Sequence, residues 1–311
     1  MRFRRRTPLY LAAFLLLVAG ATTIVAKKSP PIERRARALG SKLIGRLPYV
    51  SWGELSLAII PSELRGELRY TENNIRQVNR GESPCSVLWK TPRGLYWGRL
   101  ADRYPLAVAL TYREIDNRYL RGPLAIRRGD VVLDGGSHLG TFTRFALEQG
   151  AGLVVAFEPD PETMVCFRRN FEEEIHARQV IPIESALWSK AGDSLIFEDS
   201  ADSLDSAIQR DSVKRSGAAR TVRVSTITID EAVRLLHLNR VDFIKLNIEG
   251  AEREALKGAL GTIARFRPKM KVSLEHLPDD PWVVPQTVLE AVPSYRVSTQ
   301  LLKQSFFYCY W

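Results

Sequence analysis

Short apolar runs rich in β-branched residues alternate with helical stretches in the second half of the chain. The five runs are residues 131–133, 153–157, 180–183, 243–248 and 270–274. Runs of this length with helices between them predict an α/β fold, in which helices cover both faces of a mostly parallel sheet. Two later runs, 295–299 and 306–311, predict an antiparallel hairpin that closes one edge of the sheet.

The composition is that of a folded protein, since 45% of the 311 residues are hydrophobic. This excludes a disordered or collagen-like chain. The three cysteines, Cys85, Cys166 and Cys309, are odd in number and far apart, and they show no C-x-x-C spacing. We therefore expect no disulfide framework and no zinc site, and a protein of a reducing compartment.

The net charge of +10 is concentrated at the N-terminus. Residues 1–46 hold 11 Lys or Arg and a single acid, Glu33, which leaves 34 basic and 34 acidic residues in the remainder. A protein that tracks a phosphate backbone needs clustered positive charge, so we expect no nucleic-acid partner.

Residues 9–26 form an uncharged, apolar stretch of 18 residues. As a helix they would extend about 27 Å, close to the thickness of a bilayer core. We expect residues 1–28 to be a retained single-pass anchor, with a cleaved signal peptide as the alternative. The basic residues after the stretch outnumber those before it, which predicts that the body of the protein lies in the cytoplasm.

Three further segments follow the predicted anchor. Residues 29–47 form either a basic helix lying on anionic lipid or a solvated linker. Residues 48–122 form an accessory segment without a recognisable motif, with a helix predicted over 61–80. Residues 123–311 form the main domain, and within it the polar stretch 198–223 is predicted to be a lid, a binding segment or a solvated linker.

A glycine turn follows the first predicted strand of this domain. Asp134 ends the strand, and Gly136 and Gly140 flank the turn, a pattern typical of nucleotide-like ligands. A carboxylate at the strand tip would repel a pyrophosphate, but it suits the positive sulfonium and amino groups of S-adenosylmethionine. His138 lies inside the turn and is included as a cofactor contact, with a structural role as the alternative.

Further cofactor contacts are predicted at the ends of the next two strands. Glu158 follows Asp134 by 24 residues, near the spacing at which an acid binds the two hydroxyls of an adenosine ribose. Ser185 and Ala186 follow the third strand and are included in the same site. No metal ligands are assigned.

The catalytic candidates are Glu249, His276 and Glu275. They follow the fourth and fifth strands, whose ends face the ligand in a parallel sheet of this kind. Either His276 or Glu249 is predicted to be the general base that removes a hydroxyl proton. A divalent metal held by Asn247, Glu249 and Glu252 is the weaker alternative, because an amide is a poor ligand among the carboxylates.

Four motifs together resemble the FkbM family of S-adenosylmethionine-dependent methyltransferases, from about residue 119 to the end. They are D-G-G-S-H-L-G-T-F (134–142), V-A-F-E-P (155–159), D-F-I-K-L-N-I-E-G-A-E-R-E-A-L-K-G-A (242–259) and R-P-K-M-K-V-S-L-E-H (267–276). The resemblance implies a class I methyltransferase fold, a Rossmann-like seven-stranded sheet with an antiparallel last strand. It also implies O-methylation of hydroxyls on sugars or natural products.

The family's K-x-[DN]-x-E-G-x-E element matches Lys245, Glu249, Gly250 and Glu252. Asn247 stands where the family frequently has Asp, so no catalytic role is assigned to it. Glu252 is alternatively an acid that complements a helix N-terminus.

The sequence therefore predicts a membrane-anchored, S-adenosylmethionine-dependent methyltransferase that modifies a small-molecule or glycan acceptor. A membrane-tethered binding protein that keeps the fold without turnover is the alternative. Since S-adenosylmethionine is made in the cytoplasm, the cofactor supports a cytoplasmic catalytic domain. The oligomeric state is not predicted.

Overall fold

A computed structural model describes residues 62–200, 207–208, 218–277, 279–301 and 305–311. The predicted anchor 1–28 and the basic segment 29–47 lie outside these residues. Among the helices in the described ranges, none is long and apolar enough to cross a bilayer.

Fourteen strands are present in the described part of the chain. They are β1 (Arg76–Arg80), β2 (Val87–Thr91), β3 (Gly94–Gly98), β4 (Val131–Gly135), β5 (Leu153–Phe157), β6 (Val180–Ile183), β7 (Ala186–Leu187), β8 (Ser194–Ser200), β9 (Ala207–Ile208), β10 (Ala218–Ile227), β11 (Phe243–Leu246), β12 (Lys269–Ser273), β13 (Arg296–Leu301) and β14 (Ser305–Tyr310).

Nine α-helices accompany these strands in the same described ranges. They are α1 (Ser62–Asn74), α2 (Arg103–Tyr119), α3 (Thr141–Glu148), α4 (Pro161–Asn170), α5 (Glu172–His176), α6 (Ile229–Leu235), α7 (Glu252–Lys257), α8 (Leu260–Phe266) and α9 (Asp280–Ala291). The predicted helix over 61–80 was too long, because α1 ends at Asn74 and the chain continues directly into β1.

A seven-stranded sheet in the order β13-β14-β12-β11-β4-β5-β6 forms the centre of the molecule. Strands β12, β11, β4, β5 and β6 are parallel, whereas β14 runs antiparallel to both of its neighbours. The prediction of a mostly parallel α/β sheet with an antiparallel closing hairpin is confirmed.

The two faces of this sheet pack against separate groups of helices. Leu133, Ile244 and Val272 contribute to a core with residues from α6, α7, α8 and α9. Val132 and Phe243, their sequence neighbours on β4 and β11, contribute to a second core with residues from α3 and α4. Successive side chains of a strand point to opposite faces, so strands covered on both sides read as continuous apolar runs.

The accessory segment forms a three-stranded antiparallel sheet, β1-β2-β3, that packs with α2. Its core includes Leu139 of the glycine turn and Cys166 of α4. The amide oxygen of Asn170 accepts a hydrogen bond from the backbone N–H of Trp97. Its amide nitrogen donates to the backbone oxygens of Trp97 and Leu139. The segment therefore packs directly behind the predicted cofactor turn.

Cys85 and Cys166 form a disulfide across this contact. The expectation that the cysteines would not pair was wrong, because 81 residues separate them in sequence and only the packing of the accessory sheet against α4 brings them together. Cys309 is a free, buried cysteine on β14.

The described parts of the polar stretch 198–223 lie in strands, where the sequence predicted a loop or linker, and residues 201–206 and 209–217 lie outside the described residues. Residues from it complete the long strands β8 and β10, which pair antiparallel in a sheet of order β7-β10-β8-β9. Polar residues alternate with Phe197, Val222 and Val224, which pack on Ala186. This sheet has one small apolar face, so its strands carry mostly polar residues.

Candidate active site

The turn between β4 and α3 requires glycine at two positions. Gly136 has a φ of 75°, and a Cβ there would lie 2.1 Å from the backbone oxygen of Asn247, at the end of β11. Gly140 has a φ of 91°, and a Cβ there would lie 2.0 Å from the ring of Phe171. Gly136 thus allows the turn to approach β11, and Gly140 allows α3 to begin against the α4–α5 junction.

Glu158, at the end of β5, faces the glycine turn. Its carboxylate accepts hydrogen bonds from the backbone N–H groups of His138 (2.9 Å) and Asp160 (3.1 Å). Burial raises the pKa of Glu158 to about 7, although these two bonds favour its charged form. A carboxylate held beside the turn at such a pKa is poised to become fully ionised when a hydroxyl-bearing ligand donates to it.

Asp134 is fully buried at the end of β4 and already has partners. Its carboxylate accepts hydrogen bonds from the hydroxyl of Thr143 (2.7 Å) and from Nζ of Lys245 (3.0 Å). The expected contact between Asp134 and the positive charge of the cofactor stays a prediction. In the structure, the positive charge beside Asp134 is that of Lys245.

Lys245 connects β11 to the glycine turn. Its ammonium also donates to the backbone oxygens of Gly135 (3.0 Å) and Gly136 (2.7 Å). Three hydrogen bonds therefore satisfy all of its donors. Lys245 holds the turn that the cofactor is expected to contact.

A second buried ion pair lies beside the first. In the sheet, Lys245 is in register with Asp134 on one side and with Lys271 on the other. Lys271 pairs with Asp116 of α2, and both side chains are buried. Sequence reasoning did not identify Asp116, although a lysine in the middle of an apolar strand signals that a carboxylate must cover it.

His276 lies between two glutamates at the ends of β11 and β12. Its Nδ1 lies 2.9 Å from Glu252, and its Nε2 lies 3.2 Å from Glu249. Glu252 is fully buried and also accepts a hydrogen bond from the backbone N–H of Ile248 (2.8 Å). The structure thus brings together the predicted residues Glu249 and His276 and adds Glu252 as the anchor of the group.

The two carboxylates determine the charge of His276. Burial favours the neutral ring, but Glu252 and Glu249 outweigh it and hold the pKa of His276 well above its usual value. The two carboxylates therefore favour the charged imidazolium, whose ring has no lone pair to accept a proton. Of the two predicted bases, this favours Glu249 over His276, and the assignment of the base stays a prediction.

The backbone at Glu249 adopts an uncommon conformation. Glu249 has a φ of 53°, in the left-handed region, and Gly250 follows with a φ of 99°. A residue with a side chain at such a φ costs about 1 to 3 kcal/mol and persists where its surroundings impose it, often at functional sites. The kink places the Glu249 carboxylate beside His276.

Helix α2 supplies a further residue to this group. Burial raises the pKa of Tyr112, and the charges of Glu275, Tyr104 and Glu249 raise it further. Its ring meets Phe306 edge-on, with centroids 6.5 Å apart. The predicted residue Glu275 directly precedes His276 in the chain, and its role in catalysis stays a prediction, while nothing in the sequence indicated Tyr112.

The two residues after β6 that were predicted to contact the cofactor, Ser185 and Ala186, lie in different surroundings. The hydroxyl of Ser185 lies 3.0 Å from that of Ser225, on β10. Ala186 is buried in the core of the four-stranded sheet β7-β10-β8-β9, which we call the side sheet. From the same sheet, Arg220 pairs with Asp160 and Glu162, so the side sheet is fastened to the loop that carries Glu158. A contact of Ser185 and Ala186 with the cofactor stays a prediction.

The edge between the glycine turn and β11 has buried polar atoms that fit a cofactor. The hydroxyl of Ser137 and the amide oxygen of Asn247 are buried and have no hydrogen-bond partner among the described residues. Buried polar atoms are normally paired, so these two positions suit a ligand with its own donors and acceptors, such as S-adenosylmethionine. Within the described ranges, no three His, Cys, Asp or Glu side chains are grouped to hold a metal ion.

The sheet order, the glycine turn and the acid at the end of β5 are those of a class I methyltransferase fold, which takes S-adenosylmethionine as its cofactor. Residues 134–296 match the family described as the methyltransferase FkbM domain. This match spans more than half of the chain, and the chain therefore belongs to the FkbM methyltransferase family.

Two curated relatives are similar in sequence. Hexuronic acid methyltransferase AglP of Haloferax volcanii is 28% identical over 175 residues, which cover 56% of this chain and 66% of the relative. 31-O-demethyl-FK506 methyltransferase FkbM of Streptomyces tacrolimicus is 27% identical over 176 residues, covering 47% of this chain and 66% of the relative. The matches thus span just under two thirds of each relative.

One similar solved structure is the methyltransferase FkbM from Methylobacillus flagellatus. It is 18% identical, with a TM-score of 0.46, and the match covers 68% of this chain and 56% of the other.

Proposed function

We propose that this protein is an O-methyltransferase that transfers the methyl group of S-adenosylmethionine to a hydroxyl of a sugar. The observation on which the proposal rests is that the glycine turn is directly connected, through β11, to the proposed catalytic residues. Lys245 joins the glycine turn to β11, and β11 leads within four residues to Glu249, beside His276. The printed names of the two curated relatives, a hexuronic acid methyltransferase and a 31-O-demethyl-FK506 methyltransferase, support a hydroxyl-bearing acceptor.

In the cofactor half of the site, Glu158 would hold the ribose hydroxyls. Ser137 and Asn247 would meet the amino-acid end of the cofactor with their unpaired oxygen atoms. When bound, S-adenosylmethionine supplies an electrophilic methyl group. The task left to the protein is to align the acceptor oxygen and to remove its proton.

In the catalytic half, Glu249 accepts the proton of the acceptor hydroxyl. His276 lies 3.2 Å from Glu249 and, as an imidazolium, stabilises the negative charge that develops on the acceptor oxygen. Glu252 holds His276 in place from the opposite side of the ring. Glu252 is thus a positioning residue, whereas Glu249 and His276 are the proposed catalytic residues.

The test is methyl transfer by the Glu249→Gln variant. Loss of the base should lower kcat by about 10²- to 10⁴-fold, while calorimetry shows unchanged affinity for S-adenosylmethionine. Glu290→Gln is the matched control, since Glu290 lies on the exposed face of α9 next to Gln286. Unchanged kcat in Glu249→Gln would contradict the assignment of the base.

Cofactor binding itself is tested separately with the wild-type chain and Glu158→Ala. We expect micromolar binding of S-adenosylmethionine that this variant loses. If the folded protein binds no cofactor, the methyltransferase proposal fails. If it binds cofactor without turning over any acceptor, the alternative of an inactive binding protein replaces it.

We also propose that the protein is a single-pass membrane protein with its catalytic domain in the cytoplasm. The apolar stretch 9–26 and the cytoplasmic source of the cofactor support this. Arg76 and Lys90 lie directly opposite each other on β1 and β2, both exposed, beside the half-exposed Val78 and Leu95. Like charges in opposite positions destabilise a sheet, and an anionic lipid surface would neutralise them.

The disulfide is the observation that argues for an oxidising compartment. Reporters fused to the C-terminus decide between the two locations. A reporter that is active only in the cytoplasm is expected. Activity only outside the cytoplasm would overturn the proposed orientation and would agree with the disulfide.

A further inference from the structure

Two arginines from different parts of the fold contact the same pair of acids at the start of α4. Arg220, on β10 of the side sheet, pairs with Asp160 and lies 2.9 Å from Glu162. Arg99, which follows β3 of the accessory sheet, lies 3.9 Å from each of these acids. The start of α4 is therefore a point at which both smaller sheets are attached to the main domain.

Asp160 lies directly beside the carboxylate that is predicted to bind the cofactor ribose. It is 2% exposed, and its carboxylate accepts hydrogen bonds from the backbone N–H (3.0 Å) and the hydroxyl (2.7 Å) of Thr163. The backbone N–H of Asp160 donates to Glu158 (3.1 Å), which is also buried. Two buried carboxylates two residues apart disfavour each other's ionisation, and a nearby cation offsets this effect.

Several other charged or titratable groups surround Glu158. They are His138 in the glycine turn, Lys245 on β11, Arg99 and Asp102 after β3, Glu162 and Arg220, and the exposed Glu184 after β6. Burial lowers the pKa of His138, which favours its neutral ring. Arg99 also contacts Asp102 (3.5 Å), whereas Arg220 donates a hydrogen bond directly to Asp160. Arg220 thus brings the closer positive charge to Asp160.

We propose that Arg220 is a positioning residue for cofactor binding, which holds Asp160 and offsets its charge so that Glu158 meets the ribose hydroxyls as a carboxylate. The inference rests on the proposed function, in which Glu158 binds the ribose. Through Arg220, the side sheet contributes to the cofactor half of the site without contacting the cofactor itself.

The ionisation of Glu158 matters because it changes near neutral pH. Burial raises the pKa of Glu158 to about 7, and the charge of Asp160 contributes to the rise. Loss of the Arg220 charge should raise this pKa further. The apparent affinity falls with the fraction of protein that is competent to bind, so the loss should be largest at low pH and absent where Glu158 is fully ionised.

The experiment is calorimetry of the full-length protein with S-adenosylhomocysteine from pH 6 to pH 9. This ligand has the same adenosine ribose as the cofactor. We expect Arg220→Gln, which removes the charge, to bind about five- to tenfold more weakly than the wild type at pH 6 to 7 and equally at pH 9. The ratio of the two affinities cancels the titration of the ligand. A merely structural role of Arg220 would give the same ratio at every pH.

Two further variants test the charge of Arg220. Arg220→Lys keeps the positive charge and should restore most of the affinity at pH 7. Arg223→Gln is the matched control, because Arg223 lies on the same strand and is exposed, and its affinity should equal that of the wild type at every pH.

Asp160→Asn tests the coupling from the other partner, and it does not depend on the folding of an Arg220 variant. Asparagine retains an oxygen that caps α4, but it lacks the negative charge beside Glu158. We expect Asp160→Asn to bind S-adenosylhomocysteine about fivefold more tightly than the wild type at pH 6 and equally at pH 9.

The failures of the two proposals are distinguishable. A loss of affinity in Arg220→Gln that is the same at every pH would overturn the role of Arg220 and leave the methyltransferase proposal in place. Wild-type affinity at pH 6 in either Arg220→Gln or Asp160→Asn would do the same. Absence of S-adenosylhomocysteine binding by the folded wild type would overturn both.

Discussion

The cofactor half and the catalytic half of the site are built in different ways. The glycine turn and Glu158 come from one strand-helix-strand unit, within 25 residues of sequence. The catalytic half collects Tyr112, Glu249, Glu252 and His276 from three separate parts of the chain. A local unit leaves a readable motif, whereas an assembled group depends on how distant elements pack.

Replacing Lys245 should have the largest effect on both halves. Lys245 lies on β11, the strand that leads to Glu249, and it donates hydrogen bonds to the glycine turn of the cofactor half. Lys245→Met should lower the free energy of unfolding by about 3 to 5 kcal/mol, since it leaves Asp134 buried without its charge partner. Denaturant unfolding measures the change. Lys190→Met is the control, because the exposed Lys190–Asp193 pair contributes less than about 1 kcal/mol. Equal effects of the two variants would show that Lys245 does not join the halves.

The disulfide tests how firmly the accessory sheet supports the cofactor half. The double variant Cys85→Ser, Cys166→Ser should lower the free energy of unfolding by about 2 to 4 kcal/mol, because the bond restricts the unfolded chain. Thermal unfolding with and without reductant should show the same difference in the wild type. A wild type that is insensitive to reductant, with two free thiols by mass spectrometry, would contradict the pairing.

The pH dependence of cofactor binding sharpens the description of the cofactor half. With the pKa of Glu158 at about 7 in the free protein, binding that requires its charged form should weaken by about tenfold from pH 8 to pH 6. Calorimetry at several pH values measures this slope. In Glu158→Gln, the affinity for the cofactor should change with pH only as far as the ligand itself titrates. The same change of affinity with pH in the variant and the wild type would show that Glu158 is not the titrating group.

The pH dependence of stability tests whether Glu252 sets the charge of His276 in the catalytic half. Because the pKa of His276 is raised in the folded protein, its ion pairs stabilise the fold fully below the unfolded pKa of about 6.5. That contribution is lost as the pH rises through the raised value. In Glu252→Gln the loss should begin at a lower pH, as measured by thermal unfolding across alkaline pH. An unshifted profile would show that Glu252 does not set the charge of His276.

The sequence predicted the large sheet well because each of its strands is a continuous apolar run. All five runs lie within two residues of observed strands, and the closing hairpin was placed correctly. The side sheet was missed because β8 and β10 bury only one small face and read as a polar stretch. The disulfide was missed because spacing carries no information about residues 81 positions apart.

The sequence by itself determined the α/β class, the FkbM membership and the residues at the strand ends, because local periodicity and short motifs encode them. Only the tertiary structure decided the charges and partners of those residues. It paired Lys245 with Asp134, placed His276 between two glutamates, and brought Tyr112 against Phe306. Burial and the proximity of distant groups determine these properties, and both arise only when the helices pack on the sheet.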